Sequence, residues 1–131
     1  MAKLLPDKTF YPSPALAAEA PPESLAYVAL LAPEPNGHPT TVTDALGVID
    51  VDPASPEYGH VVGKMDFPHA GNELHHFGWN ACSSHLCGYA PNPHVERRFL
   101  VVPATHSSRI HVVDSLPDAP SPHVIKVIVG E

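Results

Sequence analysis

Charge is scarce in this chain, and positive charge scarcest. Of 131 residues only 16% are charged, and seven Lys and Arg stand against fourteen acids, a formal net charge of −7. That excludes a basic patch for nucleic acid or for an anionic membrane surface, and the adjacent Arg97 and Arg98 read as a solvated strand edge. Two cysteines, Cys82 and Cys87, make no disulfide framework, and their spacing is neither a zinc-ribbon nor a thioredoxin one. No apolar run approaches a transmembrane span. The segment Met1–Asp7 has no long apolar h-region of a secretory signal, so a reducing, cytoplasmic setting is expected. There is no glycine-rich phosphate loop and no nucleophile elbow. Ser83-Ser84 beside His85 is no evidence for a triad, because triads are set by geometry and not by adjacency.

Proline and apolar residues are what the chain has in quantity. Seventeen prolines are more than helices tolerate, and 44% hydrophobic content gives one domain a real core. Residues 1–24 read as an irregular N-terminal arm, in which Pro14 to Ala20 has the composition of a short helix. Residues 25–131 hold apolar runs of strand length separated by Pro, Gly, Asn and Asp, which is turn chemistry. The runs are Ala26–Leu31, Leu46–Val51, His60–Met65, Leu74–Trp79, Arg98–Val102, Arg109–Val113 and His123–Val129.

An internal repeat organises these runs. Asp50-x-x-Pro53-x-x-Pro56 recurs as Asp114-x-x-Pro117-x-x-Pro120, an offset of 64 residues with no gap. Val48 and Ile49 match Val112 and Val113, Val61 matches Ile125, and Tyr27–Leu31 matches Phe99–Val102. The unit is strand, loop, strand ending in Asp, Pro-rich turn, strand, with Leu74–Trp79 expected as the fourth strand of the first copy. A four-stranded antiparallel repeat is one blade of a β-propeller. The expectation is an all-β fold: an antiparallel β-propeller fragment of about one complete four-stranded blade and most of a second. Because a ring needs about four blades or more, the remaining blades are expected beyond Glu131.

The densest chemistry lies in Asn72–Ser84, where two adjacent imidazoles, the only tryptophan and one cysteine fall within thirteen residues. Imidazole is the commonest biological metal ligand and thiolate a soft one. Neighbouring side chains of a regular strand point to opposite faces. His75 and His76 therefore serve one ion only if the strand is bulged, twisted or ending there; otherwise one is a ligand and the other packs or faces solvent. Cys82 reads either as a reactive thiol or as a small buried hydrophobe. Glu73 is a candidate for orienting a ligating imidazole through its second nitrogen.

Three segments, Asp50–Tyr58, Asn72–Ser84 and Ser107–Asp114, closely resemble the N-terminal region of the selenium-binding protein / methanethiol oxidase family, in the same order and at the same intervals. The resemblance runs from Tyr27 to Val129, and Glu-Leu-His-His-x-Gly-Trp-Asn-x-Cys-Ser-Ser is long and unusual. It implies a longer β-propeller protein and a copper-dependent oxidation of methanethiol, a small thiol, by O2 to formaldehyde, hydrogen sulfide and hydrogen peroxide. On that resemblance His75 and His76 are the copper ligands and catalytic residues. The remaining ligands come from the C-terminal remainder of the propeller. Selenium is a second possible cargo. Animal members linked to selenium carry a cysteine where this chain has Gly59 and another where it has His85, so Cys82 is the retained thiol candidate. A non-catalytic selenium or soft-metal binder using Cys82, and an inactive truncated product, are the alternatives.

Overall fold

The computed structural model describes residues 22–33, 41–80 and 98–130. Among them there is no helix, and seven strands form two antiparallel sheets. The first sheet has the order β1 (Leu25–Leu30), β2 (Thr43–Asp50), β3 (Val61–Ala70). The second has the order β4 (Gly78–Trp79), β5 (Phe99–Pro103), β6 (Arg109–Asp114), β7 (His123–Val129). The all-β propeller-fragment architecture holds, with one four-stranded sheet and one of three strands. β3 runs on through Pro68, which as part of an edge strand has no partner on its outer side for a missing N–H.

The repeat is physical down to its irregularities. Leu25 faces Asp50 across β1–β2 and Phe99 faces Asp114 across β5–β6. The ladder slips between Val48 and Ile49 in one sheet and between Val112 and Val113 in the other, the same step of the repeat. After each slip the aspartate closes an Asx turn: Asp50 Oδ1 accepts from the Asp52 amide and Asp114 Oδ1 from the Leu116 amide, each at 2.9 Å. Asp114 is held further by Arg98, whose Nε and Nη2 donate to its two carboxylate oxygens at 2.7 and 2.5 Å. That guanidinium keeps the Asp114 carboxyl down at about 2.

Three details of the expected alignment change. The fourth strand belongs to the second sheet: Gly78 and Trp79 pair with Val101 and Leu100, and Leu74 bridges Ala104. β3 stops at Ala70, and Gly71, at φ 69°, begins the crossing. The second copy is one residue shorter in its turn, since Val61 pairs with Ile49 while Val124 pairs with Val113. Val61 thus corresponds to Val124, not Ile125. By the same pairing Tyr27 corresponds to Val101 and not Phe99, because the β1–β2 connection is longer than the β5–β6 one.

The sheets pack face to face. Leu46 and Phe67 from the first meet Leu100, Val102, Ala104 and Val113 from the second, with Leu74 joining them. The Pro-rich turn of the second copy sits on the first sheet, where Tyr27 OH donates to Ala119 O at 2.9 Å and Gly63 lies directly against the Pro120 carbonyl. His111 is buried in this core with its ring edge-on to Phe67 at 4.8 Å between centroids. Its Nδ1 lies 3.3 Å from the Val102 carbonyl oxygen, and its Nε2 has no hydrogen-bond partner among the described residues.

Candidate metal site at the His75–His76 bulge

Residues 72–80 are laced along β5 by backbone bonds. The His106 and Thr105 amides donate to the Asn72 and Glu73 carbonyls, the His75 amide to Pro103 O at 3.0 Å, and the Asn80 amide to Phe99 O at 2.8 Å. Leu74 bridges Ala104 while Gly78 pairs with Val101. Three residues, His75, His76 and Phe77, therefore stand opposite two, Pro103 and Val102. One extra residue on one strand is a β-bulge, which breaks the strict alternation of side chains.

The bulge brings both imidazoles to one place. His75 Nδ1 and His76 Nδ1 lie 2.6 Å apart, with ring centroids 4.4 Å apart and planes tilted by 55°. Both residues are exposed. At that separation one Nδ1–H donates to the other ring's Nδ1, since two protons or two lone pairs pointed at one another repel. A pair of imidazole nitrogens sharing one proton on a solvent-facing bulge is a two-nitrogen claw. Replacing that proton by a metal ion that accepts nitrogen donors, copper among them, fits the donor chemistry. Among the described residues no group of three His, Cys, Asp or Glu converges, so the pair offers two nitrogen donors and not a complete shell.

Buried polar groups fix the backbone that carries the claw. Asp44, 4% exposed, accepts from the Ala32 amide at 2.8 Å and from the Leu74 amide at 3.0 Å, ties that join the end of β1 to the residue before His75. Asn72, buried, donates to His69 O at 2.6 Å and accepts from Ser107 Oγ at 2.9 Å and Arg109 Nη1 at 3.3 Å. Neither residue stood out in the sequence. The available signal was an acid just before the apolar run Ala45–Ile49 and a polar amide one residue past a glycine.

The structure places the other site residues less centrally. Glu73, at φ 50°, directs its carboxylate to His106 Nε2 at 2.6 Å, so its described partner is that imidazole. Cys82 and Cys87 lie outside the described residues. On the far side of Phe77, a cavity of about 440 Å³ opens between the sheets, with Tyr27, Leu100, Phe77 and Trp79 among its walls. Tyr27 and Trp79 meet edge to face at 5.6 Å. Burial pushes the Tyr27 hydroxyl above its usual value, opposed by a hydrogen bond with Ser115.

A propeller-type antiparallel repeat of paired sheets defines the class, an all-β protein built from propeller-like units. The comparisons supply the particular family. Residues 4–131 match the family described as 56kDa selenium binding protein (SBP56), and the chain belongs to it. Selenium-binding protein 2 of Arabidopsis thaliana is 39% identical over 118 residues, 90% of this chain and 23% of its own length. Methanethiol oxidase of Bos taurus is 36% identical over 121 residues, 92% of this chain and 24% of its own. The X-ray structure of a hypothetical selenium-binding protein from Sulfolobus tokodaii superposes with a TM-score of 0.81 at 50% identity, covering 94% of this chain and 26% of that one. The chain thus spans about a quarter of the length of these relatives.

Proposed function

We propose that this chain carries the copper-holding N-terminal part of a methanethiol-oxidase-type enzyme. The observation that carries the reading is the 2.6 Å approach of His75 and His76 Nδ1 on an exposed bulge. The name of the Bos taurus relative, methanethiol oxidase, supplies the substrate. In balance, one methanethiol, one dioxygen and one water give one formaldehyde, one hydrogen sulfide and one hydrogen peroxide. The methyl carbon loses two electrons, dioxygen gains them, and water provides the aldehyde oxygen.

Copper, when bound, supplies a one-electron centre with affinity for thiolate sulfur. His75 and His76 would hold it through Nδ1, the pair giving up the one proton it otherwise shares. Asp44 and Asn72 keep the bulge in place. The aromatic walls beside Phe77 suit a small apolar thiol, because sulfur packs favourably against aromatic rings. The further ligands and the rest of the enzyme lie outside this chain.

The test is copper loading of the chain, read by metal content and by electron paramagnetic resonance. One copper per chain with nitrogen hyperfine structure, lost in the His75→Ala/His76→Ala variant, is the expected result. Copper bound equally well by that variant sinks the assignment. A second reading, uptake of selenium at Cys82 without turnover, draws on the name carried by the Arabidopsis relative. It predicts selenium retention abolished by Cys82→Ser and indifferent to the histidines.

A further inference from the structure

His111 is a polar residue that the repeat does not require. It stands opposite Val102 and Val127 in its sheet. The residue in the same place of the first sheet, opposite Val28 and Lys64, is Gly47. The His111 ring is 0% exposed and lies edge-on to Phe67 of β3. Its Nδ1 faces the Val102 carbonyl, and its Nε2 has no partner among the described residues. A neutral ring fits this setting, with Nδ1–H turned to the carbonyl and a lone pair at Nε2. A protonated ring does not. Its second N–H would be a charged donor in an apolar core, and such a group either finds an acid or forces the packing apart.

Among the described residues one acid serves that ring. Asp44 of β2 favours its protonated form, whereas His69 of β3 and Arg109 of β6 oppose it. β5 and β7 set the uncharged Val102 and Val127 opposite His111. Asp44 is itself buried and is engaged elsewhere, through Oδ1 with the Ala32 amide and through Oδ2 with the Leu74 amide. Its place in the second sheet is taken by Ser108, so Asp44 and His111 are two departures from the repeat that meet across the junction of the sheets. We propose that His111 is a proton switch for the His75–His76 bulge: a proton taken up at Nε2 draws the Asp44 carboxylate off the Leu74 amide, and the residue before His75 loses its tie to the first sheet. Burial lowers the His111 value below its usual 6.5, so the tie is made at neutral pH and released as pH falls. The step is independent of which ion the imidazole pair holds, and so it goes beyond the copper reading.

The test is amide hydrogen exchange followed by nuclear magnetic resonance on the full chain between pH 7.5 and 5, expressed as protection relative to the unfolded rate. Protection of the Leu74 and Ala32 amides is expected to fall by about tenfold or more, with the midpoint at which the His111 ring nitrogens titrate. The fall should exceed that of the slowest amides of β2 and β6, which mark opening of the sheets as a whole. His111→Phe, a ring of similar size that takes up no proton, keeps Leu74 protected at pH 5. Asp44→Asn, which retains an oxygen for the Leu74 amide but offers no charge to His111, also loses the fall. His69→Gln, at an exposed position, leaves the wild-type fall in place. Where a core variant does not fold, the two wild-type midpoints decide. A fall at Leu74 that persists in folded His111→Phe overturns the proposal. So does a Leu74 midpoint that differs from that of the His111 ring, or a fall no larger than that of the β2 and β6 amides.

Discussion

Gly63→Ala tests whether the two sheets are locked together by one turn. Gly63 sits on β3 with ordinary backbone angles, so a methyl group costs nothing in conformational strain. Its neighbours decide the outcome. A Cβ there overlaps the Pro120 carbonyl oxygen outright and lies 2.9 Å from the carbonyl carbon and 3.3 Å from Val48 Cγ2. The obstacle is backbone, which cannot rotate aside as a side-chain tip does. The turn must retreat by about 1.5 Å to restore ordinary van der Waals separation. Retreat also pulls Ala119 O away from Tyr27 OH, now 2.9 Å apart, a hydrogen bond worth about 1 kcal/mol. Overpacking adds roughly 1–3 kcal/mol, and the stiffer unfolded chain offsets about 0.4–1 kcal/mol.

The net expectation is a loss of about 1–3 kcal/mol, a fall in Tm of roughly 4 °C per kcal/mol for a domain of this size. Thermal and urea unfolding followed by circular dichroism measure it. Gly78→Ala is the internal control, because nothing lies within 4 Å of a Cβ at that exposed position; it should be neutral or gain about 0.5 kcal/mol. If Gly63→Ala matches or exceeds the wild type in stability, the docking of the Pro120 turn on the first sheet is wrong.

Acid stability should follow Asp114. Its folded value is lowered from 3.8 to about 2, so its contribution is complete above pH 3.8 and is lost as pH falls through about 2; urea titrations from pH 5 to 2 should show this slope, and Asp114→Asn should lose it. His111 works over a higher window. Burial lowers its value below 6.5, with the His69 and Arg109 charges acting the same way and a Val102 hydrogen bond and Asp44 opposing. The unfolded chain therefore takes up protons first, and stability declines as pH drops below 6.5. His111→Phe should flatten that decline, measured as the difference in unfolding midpoint between pH 7.5 and 5; an unchanged slope would show that other histidines set it.

Much of the frame was legible because the repeated aspartate performs the same local act twice. Asp50 and Asp114 each follow a run of β-branched residues and each close an Asx turn, so spacing alone exposed the unit. The fourth strand was not legible as drawn. Leu-His-His-Phe-Gly-Trp reads as one continuous strand, whereas only Gly78–Trp79 is ladder and its partner, β5, lies on the far side of residues 81–97 in sequence. Strand partnership over such a distance leaves no periodic trace. Glu73 illustrates the same limit: its carboxylate meets His106, a residue with no sequence relation to it. The His pair was legible as chemistry. That the strand bulges there was only a condition on the reading, and it took the register of Leu74 and Gly78 against β5 to meet it.

What recurs and what does not recur divide the work of this chain. The slips at Val48 and Val112 and the two Asx turns appear in both sheets, so they belong to building a sheet of this shape. Other features have no twin at the corresponding position. Asp44 ties down Leu74, whereas the second sheet has Ser108 in that place. Gly63 admits the Pro120 turn, whereas the second sheet has Lys126. Each of these single features acts where the sheets join or beside His75. Sequence drift between two copies of a repeat is tolerated on the outer faces, but a residue that departs from its twin and gains a buried contact is performing a local task. Asp44 meets that criterion, since its carboxylate holds the amide next to His75 by an arrangement the repeat itself does not require. The His75–His76 bulge is thus braced from the first sheet while its ladder partners come from the second, so the pair's geometry depends on the junction and not on either sheet alone.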